Sequence, residues 1–208
     1  TVGPKVLKTE VSVADVSVSI FSGQTKIKQF FLGNPQGLGF KTAQAMTVGS
    51  IFVDIDEKSI TSNPIVINKI EILAPRITYE KLKGTDNFQA LLRNIQSSAK
   101  AESKPAQAGD DTAKGEARKV VINHVIVKDG SVNLAMALLG GKEITAPLPD
   151  IHLTDIGKEK GGASPAEAAQ QLFDSLYQSL SSDSVNQVFK DGRQQLGKLK
   201  NLGADGIA

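Results

Sequence analysis

Apolar residues recur in steps of two along most of the first 160 positions of the chain, the period of half-buried strands. The clearest stretch is written twice. Ile65 to Glu80 reads IVINKIEILAPRITYE, and Val120 to Ala135 reads VVINHVIVKDGSVNLA, aligned without a gap. Val66, Ile67 and Asn68 recur as Val121, Ile122 and Asn123; Ile70 and Ile72 become Val125 and Val127; Ile77 becomes Val132. Recurrence at a fixed offset predicts two copies of one supersecondary unit, lying in one sheet. Within each copy the apolar phase shifts, because Ile65 and Ile67 stand out of step with Ile70 and Ile72. A slip of one residue sends side chains to the opposite face, so a bulge is expected near Asn68 and Asn123. Asp129-Gly130 alone would signal a hairpin, but its counterpart is Ala74-Pro75, and Pro cannot take the positive φ of a type I′ turn. Both dipeptides are therefore expected as bends in long strands.

The same reading orders the rest of the chain. A strand is expected from Val6 to Phe21, carrying Val11 and Val13, then Val16, Val18 and Ile20 after a slip at Ala14-Asp15. Ser22-Gly23 turns it, and Ile27, Phe30 and Leu32 mark the return, closed by the breakers Gly33 to Gly37. Ile51, Val53 and Ile55 alternate with Phe52, Asp54 and Asp56, a strand with a wetter second face. At Asp86 the period becomes helical: Asp86 can cap a helix whose apolar face is Phe88, Leu91, Leu92 and Ile95. Lys100 to Lys119 holds no Val, Ile, Leu, Met, Phe or Tyr, and reads as a flexible insertion. Gly140-Gly141 is expected to turn a hairpin, and Pro147 and Pro149 confine the following strand, to Ile156, to an edge or bend. Ser164-Pro165-Ala166-Glu167 is a capping box with Pro at the first helical position. The helix behind it aligns Ala169, Leu172, Phe173, Leu176, Tyr177 and Leu180, and Val185, Val188 and Phe189 begin another. The expected organisation is an α+β, mainly β chain: a β domain over 1–160 with an insertion at 100–119, then amphipathic helices over 161–208 that pack on the sheet or on a partner.

Composition narrows the chemistry. Aromatic residues are 5% of the 208 and Trp is absent, so the apolar content is aliphatic. A net charge of +2, without a basic run interleaved with aromatics, gives no footprint for nucleic acid. Zero Cys removes disulfides, thiolate catalysis and Cys-ligated metals. No run of 18 apolar residues is present. His124 and His152 fall in strand patterns without a third ligand at a recognisable spacing, so no metal site is assigned and both are read as structural. His124 takes the place of Lys69 in the repeat, a solvent-facing position. Asp54, Asp56 and Glu57 lack the Gly and distal Glu of a calcium loop, and Gly33 to Gly39 lacks the Lys-Ser/Thr ending of a phosphate cradle. No catalytic residue and no cofactor are assigned.

Several motifs together resemble the AsmA-like group of small bacterial envelope proteins. They are Ser22-Gly23 after a long strand, Gly33-Asn34-Pro35, Asp54-x-Asp56, the Ile65 to Ile70 block, and Pro75 to Glu80 followed by a helix entered through Asn87. Leu148 to Gly157 and the Ser164 to Glu167 helix start extend the likeness over nearly the whole chain apart from the insertion. The resemblance implies a periplasmic protein held in the inner membrane by an N-terminal helix outside this chain. It also implies a long curved antiparallel sheet, folded like a taco-shaped half barrel about an apolar groove, and a non-enzymatic part in handling membrane lipids. Protein partners or a homo-oligomer fit the same picture. One phase of each long strand would line such a groove: Val16, Val18, Ile20, Ile51, Val53, Ile55, Ile70, Ile72, Val125 and Val127. Leu172, Phe173, Leu176 and Leu180 would form a lid over it. Two readings stay open: the face binds acyl chains, or the chain's own helices close it and the protein is a structural or assembly module without a ligand.

Overall fold

The repeat pairs with itself. A computed structural model describes residues 2–19, 21–102, 118–135 and 144–204. In it, β5 (Ile65–Leu73) runs parallel to β8 (Val120–Lys128), with Ile65 opposite Val120 and Ile72 opposite Val127. Further along, β6 (Arg76–Leu82) runs parallel to β9 (Ser131–Ala135), with Ile77 opposite Val132. The ungapped sequence alignment is thus also the strand register. Around this pair, β1 (Val11–Ser12), β2 (Asp15–Val18), β3 (Gln24–Gly33), β4 (Gln44–Ile55), β7 (Thr85–Asp86), β10 (Ile144–Pro147) and β11 (Ile151–Ile156) complete a large open curved sheet of 11 strands. All the other pairings are antiparallel. The expectation of an antiparallel sheet fails at its centre, for a topological reason. The chain leaves β6 through α2 (Asn87–Glu102) before entering β8, and a crossover with a helix returns a strand parallel to the one it left.

Ala74-Pro75 and Asp129-Gly130 bend the strands without turning them back, as expected. Ala74 (φ 49°), Asp129 (φ 55°) and Gln29 (φ 52°) are all left-handed. They lie beside one another across the sheet: Leu73 pairs with Ser50 and Lys128, and Lys28 pairs with the same Ser50. One transverse bend therefore crosses the neighbouring strands. Backbone bonds continue through it, from Ala74 N to Lys128 O (2.9 Å), Ser131 N to Pro75 O (2.9 Å) and Leu148 N to Gly130 O (2.9 Å). Gly130 is needed for proximity, since a Cβ there would lie 2.8 Å from Leu148 Cδ2. The bulge at Asn68 is present: Asp54 pairs with Lys69 but Ile55 with Ile67, leaving Asn68 as the extra residue. At Asn123 no register shift occurs. There the partner strand carries the irregularity, at Asp155 (φ 57°) between Thr154 and Ile156.

The first strand starts later than its pattern predicts. Val2–Leu7 is a helix, α1, and its six residues are too few to be helical by propensity alone. Tertiary contact decides the matter: Val6 and Leu7 are buried, and α2 supplies Ser98 Oγ to Val6 O (3.0 Å) and Asn94 Nδ2 to Leu7 O (2.9 Å). α2 itself follows its sequence signature. Asp86 Oδ1 accepts from Gln89 N (2.8 Å), and Phe88, Leu91, Leu92 and Ile95 are buried. It runs on to Glu102, so Lys100–Glu102 is helical where an insertion was expected. Most of that insertion lies outside the described residues, as does Gly140-Gly141.

α3 (Pro165–Leu180) begins on its capping box, with Ser164 Oγ accepting from Glu167 N (3.2 Å) and Glu167 Oε2 accepting from Ser164 N (2.8 Å). It packs on α2, where the Phe88 and Phe173 rings stack 6.2 Å apart, and on β8 and β11. α4 (Asp183–Ala204) lies on β10, and Gly192 allows the close approach to Ile144. The C-terminal helices thus pack on the sheet, and Phe173, Leu176, Leu180, Val185 and Phe189 share one buried cluster with the strands. No helix among the described residues is long and apolar enough to cross a membrane.

Candidate functional site

Strand register gathers most of the predicted groove residues into two adjacent rows on one face. In the first, Val16, Ile27, Ile51, Ile72, Val127 and Ile151 are successive partners; in the second, Val18, Thr25, Val53, Ile70, Val125 and Leu153. Ile55, half-buried, faces Ile67 beyond the bulge, and Ile20 lies outside the described residues. Exposure falls steeply along the rows. Val18 is 62% exposed and Val16 49%, Ile51 is 9%, and Val125 and Val127 are 2% and 1%.

The helices explain the gradient. α3 covers the β8 and β11 end, where Leu172 packs against Ile122, Val125 and Ile156, while Phe173, Leu176 and Leu180 are fully integrated in the main core. Of these four residues, expected as a lid, Phe173, Leu176 and Leu180 are buried and Leu172 is half-buried. Beyond β4, Ile27 and Val53 are only partly buried, and Val16 and Val18 on β2 face solvent. A cavity of about 530 Å³ at this same end of the sheet belongs mainly to the opposite face, since Ser17, Gln24, Lys26, Phe52, Asp54, Lys69 and Glu71 line it beside Val18, Thr25 and Val53. The exposed aliphatic side chains of Val16 and Val18 can hold an apolar chain by undirected area burial.

The opposite face of the same strands is polar, as the alternation predicts. Lys26, Phe52, Glu71, Ile126 and His152 form one row, and Gln24, Asp54, Lys69, His124 and Thr154 the next. The Lys26 ammonium sits 4.9 Å from the Phe52 ring centre, and Lys69 is 3.6 Å from the Glu71 carboxylate. His124 and His152 meet here, with Nδ1 and Nε2 3.1 Å apart and both side chains exposed. Sequence reading assigned this pair no site, for want of a third ligand, and could not show that the two rings meet. They lie on strands whose pairing no local pattern announces.

The motif residues of the resemblance serve the fold. Asn34, Thr42, Glu80 and Asn87 form one hydrogen-bond network. The buried Glu80 carboxylate accepts from Lys41 N (2.7 Å), Thr42 N (2.9 Å) and Thr42 Oγ1 (2.6 Å). Asn87 Nδ2 donates to Asn34 Oδ1 (2.8 Å) and Thr78 O (2.7 Å), and its Oδ1 accepts from Glu80 N (3.0 Å). Gly23 (φ 65°) stands where a Cβ would clash with Ile55 O. Beside this network, Asp86 Oδ2 accepts from both tyrosines of the chain, Tyr79 (3.2 Å) and Tyr177 (3.0 Å). Burial, and then the Asp86 charge, push the Tyr79 hydroxyl well above the usual phenol range. Tyr177 is raised by burial and by its bond to Asp86. These carboxylates are saturated by donors, so the arrangement fixes elements in place. Among the described residues no group of three or more His, Asp or Glu gathers as a metal cage.

No family model matches the chain, and no curated protein matches it.

Proposed function

We propose that this chain is a non-enzymatic, AsmA-like periplasmic domain, anchored to the inner membrane outside the present sequence, whose apolar sheet face holds lipid acyl chains at its open end. The observation that carries the reading is the exposure gradient. The rows that are core under α3 continue in register to Val16 and Val18, where the aliphatic side chains face solvent. Leaving such surface exposed forgoes about 25 cal/mol per Å² that an apolar ligand would recover. In this reading the curved sheet is the wall of a taco-like groove, its interior side is the apolar face, and Val16, Val18, Val53 and Ile70 form the open part. The domain would act on membrane lipids or in envelope homeostasis.

A specific observation favours a second reading, that of a structural or assembly module without a ligand: Phe173, Leu176 and Leu180 already fill the face beneath α3. Native mass spectrometry of the purified chain with mixed phospholipids separates the two. The lipid reading expects a bound phospholipid that is lost in Val16→Asp/Val18→Asp while the circular dichroism of the sheet persists. No adduct on the folded wild-type chain would leave the structural module.

A further inference from the structure

The polar face carries a feature that lipid handling does not use. The chain's only two histidines, distant in sequence, are brought together on the antiparallel strands β8 and β11. His124 pairs across the ladder with Thr154, and His152 with Ile126, so the rings are diagonal neighbours on one face. Their nitrogens approach to 3.1 Å, with ring centres 5.3 Å apart and planes tilted by 38°.

From this geometry we propose that His124 Nδ1 and His152 Nε2 form a two-imidazole site for a divalent transition-metal ion such as Cu²⁺, Ni²⁺ or Zn²⁺. Imidazole nitrogen binds these ions at about 2.0–2.1 Å. An ion equidistant from two nitrogens 3.1 Å apart subtends about 95–102° between them, which lies between the octahedral and tetrahedral angles. The nitrogens are thus already spaced as adjacent ligands of one ion. Both rings are exposed; one of the two nitrogens carries the proton of their hydrogen bond, and moving it to that ring's other nitrogen and rotating both rings turns two lone pairs toward a common point. Water fills the remaining positions, since the described residues bring no third His, Asp or Glu into the group. Imidazole suits Cu, Ni and Zn, whereas Mg and Ca prefer oxygen ligands. Lys69, which neighbours His124 in the sheet, is drawn toward the Glu71 carboxylate, and this tempers its repulsion of an incoming cation. A bound ion would tie the edge strand β11 to β8 at the end of the sheet that α3 covers.

The test is a Cu²⁺ and Ni²⁺ titration of the untagged full chain by calorimetry, with electron paramagnetic resonance of the Cu²⁺ form, for wild type, His124→Asn and His152→Asn. The expected result is one ion per chain, hyperfine coupling to two imidazole nitrogens, and at least roughly tenfold weaker binding in each single variant. Even partners outside a metal's ligand shell act on that scale. Failure of the wild type to bind, coupling to a single nitrogen, or unchanged affinity in either variant would overturn the proposal. Should a variant fail to fold, the nitrogen count on wild-type Cu²⁺ decides by itself.

Discussion

Two ends of the same rows of side chains, built from the same aliphatic residue types, have opposite fates. At the β8 and β11 end, Val125, Val127 and Ile151 are interior; at the β2 end, Val16 and Val18 face solvent. Residue type cannot account for this, because valine stands at both. Position relative to α3 does. The helix lies over the β8 and β11 end, and nothing among the described residues lies over the β2 end to the same degree. Hydrophobic patterning thus specifies which face of a sheet avoids water, while a separate element decides how much of that face is core. The uncovered remainder is where a ligand can bind without unfolding anything.

Substitutions at the two ends should separate accordingly. Phe173→Ala, beneath α3, removes a buried ring stacked on Phe88 and should cost about 3–5 kcal/mol in urea denaturation. The combined Ser substitutions of Leu172, Phe173 and Leu176 should unfold the chain; a persisting sheet with increased dye binding would make α3 a removable cover and erase the contrast. Asn87→Ala should come next, at about 1–3 kcal/mol, because Asn34 Oδ1, Thr78 O and Glu80 N would lose a buried partner. An effect under half of that range would mean that water replaces the side chain.

A smaller effect is expected from pH. Tyr79 has a raised pKa in the fold, so the unfolded chain releases its proton first as pH rises. The stability this group contributes is therefore intact below about pH 10, the ordinary phenol value, and is lost above it. Tyr79→Phe should flatten the alkaline arm of a stability-against-pH curve measured by chemical denaturation. An unchanged arm would show that burial of Tyr79 beside Asp86 does not couple its ionisation to folding. Least of all, Val16→Ser/Val18→Ser should change stability by about 0.5 kcal/mol or less, as exposed positions do. The same variant should lower binding of a hydrophobic dye or phospholipid. A large destabilisation there would place β2 within the core.

Much of the architecture was legible in the residues alone. The gapless match of Ile65–Glu80 with Val120–Ala135 predicted two bent strands in one sheet, and only the structure showed that the copies pair with each other. The Asn68 bulge followed from the phase shift of the isoleucines, α2 from its 3–4 spacing, and the start of α3 from Ser164 and Glu167. These are local properties: side-chain period, turn stereochemistry and caps depend on residues within a few positions of one another. What the chain could not announce is non-local. That the copies run parallel depends on the crossover through α2, and that Val6 and Leu7 are helical depends on Ser98 and Asn94 of that helix. The meeting of His124 with His152 depends on which strand β8 accepts as its neighbour. So does the difference between Val18 and Val125, since both satisfy the same alternation. Burial, like pairing, belongs to the assembled surfaces, and an amphipathic pattern names the face to be covered without naming what covers it.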